Sequence, residues 1–151
     1  MRAMRLLINP SLAVLCLGFC LLAQASEFRT IAPAKAVLFD APSLEATKIY
    51  ILNQGYPVEI IVNLGPWLKV RDQLGGLSWV EAKNLTNKRT VLVTTKTELK
   101  STEDSAANLV ATVEKDVVLG LTSATQKNGW IKVRHRDGVE GFVQASDVWG
   151  F

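Results

Sequence analysis

Once its first 25 residues are set aside, this chain contains no cysteine: Cys16 and Cys20, the only two in 151 residues, both lie in that opening stretch. The rest therefore has no disulfide to stabilise it, no catalytic thiol and no thiolate metal ligand. Histidine is almost absent too, with His135 alone, so a base beside a nucleophile is hard to assemble. No spacing of His, Asp and Glu suggests a metal site, and no glycine run follows a strand to cradle phosphate. No cofactor is expected. Long apolar runs are missing as well, apart from residues 12–23. That run is about twelve residues, short of the ~20 needed to cross a bilayer as a helix.

The run reads instead as the core of a signal peptide. Arg2 and Arg5 precede it, and Ala23-Gln24-Ala25 places small residues at the two positions a signal peptidase reads. Cleavage is expected before Ser26, which assigns residues 1–25 to a leader and the protein to the periplasm or another extracytoplasmic space. Cys16 follows Leu15 and Cys20 follows Phe19, not the small residues a lipoprotein anchor requires. No membrane span is expected after cleavage. Loss of Arg2 and Arg5 leaves 15 basic against 14 acidic residues, so a net charge of +3 falls to +1. A near-neutral protein lacks the clustered basic face that nucleic acid demands.

What the chain does have is a repeat. Residues 67–85 align without a gap on residues 130–148, with seven identities in nineteen positions. Trp67-Leu68-Lys69-Val70-Arg71 returns as Trp130-Ile131-Lys132-Val133-Arg134, Gly75 as Gly138, and Trp79-Val80-Glu81-Ala82 as Phe142-Val143-Gln144-Ala145. Upstream the offset shortens by two, pairing Leu38 with Leu99 and Ile60 with Leu121. The length change belongs in the turn at Asn63-Leu64-Gly65-Pro66 or Gln126-Lys127-Asn128-Gly129.

Apolar residues recur at short intervals with β-branched and aromatic types favoured, a pattern that predicts an all-β fold. Five strands per unit are expected: near 36–39, 48–52, 57–62, 67–71 and 77–80, then near 97–100, 109–113, 117–122, 129–134 and 139–143. Units of about sixty residues are marginal alone, so residues 26–86 and 87–151 are expected to pack together as two small barrels. The joining stretch 86–95 has neither Gly nor Pro. It reads as a strand over 90–94 that either begins the second unit or bridges the two, holding them in a fixed relation.

Gly129-Trp130-Ile131-Lys132-Val133, Asp137-Gly138 and Gly141-Phe142-Val143 ahead of Ala145-Ser146-Asp147-Val148 resemble the signature of the bacterial SH3-like (SH3b) domain. The first copy departs from it at Pro66 and Ser78, where the second has Gly129 and Gly141. A leader followed by two such units resembles exported proteobacterial proteins of that architecture. The resemblance implies two tandem SH3-like barrels, no catalysis, and binding to the cell envelope through peptidoglycan or another envelope protein.

Because alternate strand residues face opposite ways, Leu68 and Val70 oppose Trp67, Lys69 and Arg71, and Ile131 and Val133 oppose Trp130, Lys132 and Arg134. If the aliphatic pairs face the core, the other face offers an aromatic plate with two cations, suited to stacking on a sugar ring and pairing with carboxylates. Peptidoglycan has both sugars and carboxylated stem peptides. The alternative is ordinary: a Trp packed under a loop beside solvent-facing cations. Tyr50 and Tyr56, with Ala111 and Val117 as counterparts, either line an aromatic groove on the first copy or pack structurally. Trp79 and Phe142 are expected in the inner packing. Trp149 and Phe151 either seal the interface between the units or present an apolar handle to a protein partner. The same residues thus leave two functions open, a non-catalytic peptidoglycan-binding module and an adaptor for an envelope protein.

Overall fold

A computed structural model describes residues 26–123 and 125–151. The expected leader lies outside the described residues. Among the described residues fourteen strands form two seven-stranded antiparallel sheets, one per repeat. The first contains β1 (Phe28–Ile31), β2 (Lys35–Phe39), β3 (Lys48–Asn53), β4 (Pro57–Asn63), β5 (Trp67–Arg71), β6 (Leu77–Glu81) and β7 (Leu85–Thr86), in the order β3-β2-β6-β5-β4-β1-β7. The second contains β8 (Thr90–Val93), β9 (Thr97–Lys100), β10 (Leu109–Val113), β11 (Val118–Leu121), β12 (Trp130–Arg134), β13 (Glu140–Gln144) and β14 (Val148–Trp149), in the matching order β10-β9-β13-β12-β11-β8-β14. The fold is all-β, two tandem SH3-like barrels. Its only helices among the described residues are 3₁₀ turns at Ala82–Asn84 and Ala145–Asp147. None is long and apolar enough to cross a membrane.

The first sheet has two strands more than the five expected, and the second has one more than its five and the joining strand together. In the first unit these are β1, at the start of the described residues, and the two-residue β7, which pairs with it. In the second it is the two-residue β14, while β8 is the strand expected over 90–94. A strand of two residues shows no alternation for a sequence to display, which is why the closing strands escaped notice. The joining stretch proves to begin the second unit, since β8 hydrogen-bonds to β11 and β14.

The alternation within strands builds two separate cores. Leu38, Val58, Leu68, Val70 and Val80 have no exposed surface in the first, nor do Val91, Val93, Leu99, Leu119, Ile131, Val133 and Val143 in the second. The two extra residues of the second copy lie between Leu121 and Lys127, ahead of the turn, which has the same length in both copies but is built differently. Asn128 and Gly129 both have positive φ, +52° and +82°, as a type I′ hairpin requires. The first copy has Pro66 where Gly129 stands, and proline cannot adopt that angle. Gly65 alone takes the positive φ, +83°, the pattern of a type II′ turn. Both turns close with the same backbone bond, Leu64 N–H to the Trp67 carbonyl and Lys127 N–H to that of Trp130, each 2.9 Å.

The two units meet through side chains. Trp149 lies edge-on to Phe28 with centroids 5.1 Å apart and tilts against Tyr56 at 6.5 Å. Thr90 donates its hydroxyl to the Gly55 carbonyl at 2.7 Å. Its single hydrogen is then committed, so the 2.9 Å contact with Thr30 has Thr30 as donor. Arg89 donates to the Gly150 carbonyl at 2.9 Å and stacks over Phe28 at 5.6 Å. Of the two roles open to the C-terminal aromatics, Trp149 takes the interface, while Phe151 stays exposed.

Candidate functional site

Strands β5 and β6 set the geometry of the repeated motif. Leu68 opposes Val80 and Val70 opposes Ser78 on the core side. Trp67, Lys69 and Arg71 are thereby turned outward, as are Trp130, Lys132 and Arg134 on β12. The same register corrects the expectation for Trp79 and Phe142. Ser78 and Val80 fill the inward positions of β6, and Gly141 and Val143 those of β13, so Trp79 and Phe142 stand on the outer face opposite Lys69 and Lys132. The aromatic size of these residues had outweighed the alternation around them.

In the first unit the outward residues make an aromatic and cationic surface. Trp67, half-buried, meets the edge of Phe39 with centroids 5.4 Å apart at 88°. Lys69 Nζ lies 5.9 Å above the Trp79 ring, within range of a cation–π attraction. Arg71 sends Nε and Nη2 to the Glu59 carboxylate at 2.7 and 2.6 Å. Glu59, almost wholly buried on β4, was not singled out from sequence. Its one signal is a lone acid in the apolar run Val58-Glu59-Ile60-Ile61-Val62.

The second unit carries the same motif to a different end. Trp130 is buried, and Lys100 stands at the repeat position of Phe39. Arg134 Nε donates to Glu140 at 2.5 Å, and Lys132 Nζ lies 3.7 Å from the same carboxylate. The hydrogen bond from Arg134 holds the Glu140 carboxyl below its ordinary range. The identical triplets therefore give unlike surfaces, with a half-buried Trp in the first unit and a buried one in the second.

Tyr50 and Tyr56 pack against the first core, and their hydroxyls support the β5–β6 hairpin. Tyr50 donates to Asp72 Oδ2 at 2.9 Å and lies 3.0 Å from Ser78 Oγ, and Tyr56 accepts from the Gln73 N–H at 3.3 Å. Asp72 Oδ1 in turn accepts from the N–H groups of Leu74 and Gly76. Burial pushes both tyrosine pKa values up. Ala111 and Val117 have no hydroxyl to do this, and the hairpin of the second unit carries His135 instead, its Nδ1 2.8 Å from Asp137. Among the described residues no three of His, Cys, Asp and Glu gather as metal ligands would.

Among solved structures the chain is similar to NlpC2 from Trichomonas vaginalis, at 16% identity and a TM-score of 0.39 over 83% of this chain and 48% of that one. It is also similar to an NlpC/P60 family protein from Bacillus cereus, at 18% identity and a TM-score of 0.37 over 82% and 56%. This chain thus spans only about half the length of those proteins. No curated protein sequence matches it. The family model described as bacterial SH3 domain matches twice, over residues 32–87 and 101–150, which accounts for most of the two barrels. Two matches in tandem, each falling on one seven-stranded sheet, place this chain in the bacterial SH3 domain family.

Proposed function

We propose that the protein is a non-catalytic binding module exported to the cell envelope, where it recognises peptidoglycan or its stem peptides. The observation that carries this reading is the outward surface of the first unit. Trp67, Lys69 and Trp79 belong to neither hydrophobic core, yet they put two indoles and an ammonium on adjacent strands. An indole face stacks on a sugar ring, and the lysine, held over Trp79 without an acidic partner among the described residues, is free to meet a carboxylate. The lone histidine, paired with Asp137 in a solvated hairpin, supports the absence of catalysis. The adaptor reading draws support from a separate feature: Ile49 and Ile51 are about half exposed on the edge strand β3.

Sedimentation of residues 26–151 with purified insoluble peptidoglycan tests the first reading. Wild type is expected in the pellet, less so as salt rises, and Trp67→Ala in the supernatant while its circular dichroism stays native. Trp130→Ala serves as the contrast, because its buried ring predicts lost stability rather than lost binding alone. A folded wild type that stays in the supernatant at low salt refutes wall recognition and turns attention to a protein partner on β3.

A further inference from the structure

In each unit three adjacent strands place a row of residues on the outer face. In the first the row runs Phe28, Glu59, Arg71, and in the second Thr90, Gly120, Arg134. Phe28 and Glu59 are both buried and fill their row. Their counterparts are a small side chain and none. At that point a cleft of about 920 Å³ opens between the units, lined by Thr90, Gly120 and Arg134 from the second and by Gln54 and Gly55 from the first. Sites for small ligands commonly occupy about 300–1,000 Å³.

Glycine at position 120 is not a requirement of the backbone. Its φ lies outside the left-handed region, and an added Cβ would meet nothing closer than the Arg134 carbonyl oxygen at 3.5 Å, an ordinary contact. The space is a difference between the copies that the fold does not need.

The cleft is also unusually cationic for this protein. Lys88, Arg89, Arg134 and Arg136 line it against one carboxylate, Asp116, although the residues after the leader carry 15 basic and 14 acidic groups. Lys88 and Arg136 form no ion pair among the described residues. Among the described residues the Arg89 guanidinium hydrogen-bonds only to the Gly150 carbonyl, its Nε is buried without a partner, and burial pushes its pKa down. An anion nearby would relieve that cost. Glu140 holds the Nε and Nη2 of Arg134 and leaves Nη1 for a ligand. Val117, Val118 and Leu121 add apolar surface.

The geometry points to this cleft as a binding site for a carboxylate-bearing ligand, whose carboxylate occupies the position that the Glu59 side chain fills in the first unit. Arginine forks suit a planar carboxylate, and the first unit already pairs one with Arg71 in that row. The proposal rests on the reading of the protein as a binding module and moves carboxylate recognition from the outer face of β5 to the interface. The carboxylate belongs either to a peptide side chain or to an acidic sugar.

Nuclear magnetic resonance titration of residues 26–151 tests it, using a blocked alanyl-glutamyl-alanine peptide, its glutamine counterpart and methyl glucuronide. The amides of Gly55 and Gly138 are the reporters, since both line the cleft. Saturable shifts with at least one acid and none with the glutamine peptide are expected, and the responding acid names the source. Gly120→Glu supplies the carboxylate from within and should weaken binding at least about tenfold, a change of about 1.4 kcal/mol. Lys88→Glu/Arg136→Glu, on solvent-facing positions, should do the same and stands in if Gly120→Glu disturbs the fold. Absence of saturable shifts with both acids, an equal response to the neutral peptide, or undiminished affinity in both variants overturns the proposal. Peptidoglycan sedimentation separates it from the function above. Wild type that fails to sediment while the titration succeeds ends the wall reading and keeps the cleft, whereas sedimentation with a failed titration ends the cleft alone.

Discussion

Replacing Thr90 with valine removes one oxygen from the junction of the two barrels and changes little else in volume. That oxygen donates to the Gly55 carbonyl and accepts from Thr30, so two hydrogen bonds across the interface depend on it. Both threonines are buried, at 7% exposure for Thr90 and 3% for Thr30, so little water reaches either bond. At about 1 kcal/mol for each net hydrogen bond, Thr90→Val should cost about 2 kcal/mol. Thr30→Val removes only its own bond and should cost about 1 kcal/mol. The double variant loses the same two bonds as Thr90→Val, so its cost should again be about 2 kcal/mol rather than the sum of about 3, a coupling of about 1 kcal/mol. Urea denaturation followed by tryptophan fluorescence reads all four proteins, and the accompanying fall in Tm for Thr90→Val should be about 8 °C for a chain of this size. A cost below about 0.5 kcal/mol for Thr90→Val, or singles that simply add, would refute the hydrogen-bonded chain as the tie between the units.

Gly141→Ala should destabilise the second unit by about 1–3 kcal/mol, because the new methyl would lie 2.9 Å from Leu99 Cβ and 3.1 Å from the Lys100 carbonyl oxygen; thermal denaturation checks it, and an unchanged Tm would contradict the packing. The first copy tolerates Ser78 at this position and uses its hydroxyl to meet Tyr50. Alkaline pH should loosen the first unit. Burial raises the pKa values of Tyr50 and Tyr56 above their ordinary 10.0, so the unfolded chain ionises first. Their contribution to stability is intact below pH 10 and is lost as pH climbs from there through the folded values. Absorbance at 295 nm should place both midpoints above 10, and Tyr50→Phe/Tyr56→Phe should flatten the fall in stability.

The barrels were legible because strand alternation is local. Leu68, Val70, Ile131 and Val133 declare the core side of their strands by spacing alone, and the repeat doubles the signal. What escaped was set by neighbours in space. β7 and β14 are too short to show a period and exist because β1 and β8 offer them an open edge. Trp79 reads as core by its size and is outer by its register with Lys69. The roles of Tyr50 and Tyr56 depend on Asp72 and Gln73 respectively, more than fifteen residues away, in the hairpin they support.

By itself the sequence determined that two homologous all-β units follow one another, which residues of each strand share a face, and that thiol chemistry is excluded after residue 25. Those properties follow from composition, periodicity and repetition along the chain. Only the tertiary structure decided that identical Trp-x-Lys-x-Arg triplets carry a half-buried Trp67, packed against Phe39, in one unit and a buried Trp130 in the other. It alone decided that Thr90, Gly120 and Arg134 border a cationic cleft, whereas the buried Phe28 and Glu59 fill the matching row of the first unit. Burial and charge at such places are sums over residues brought together from several strands and both units, and no single stretch of the chain contains them.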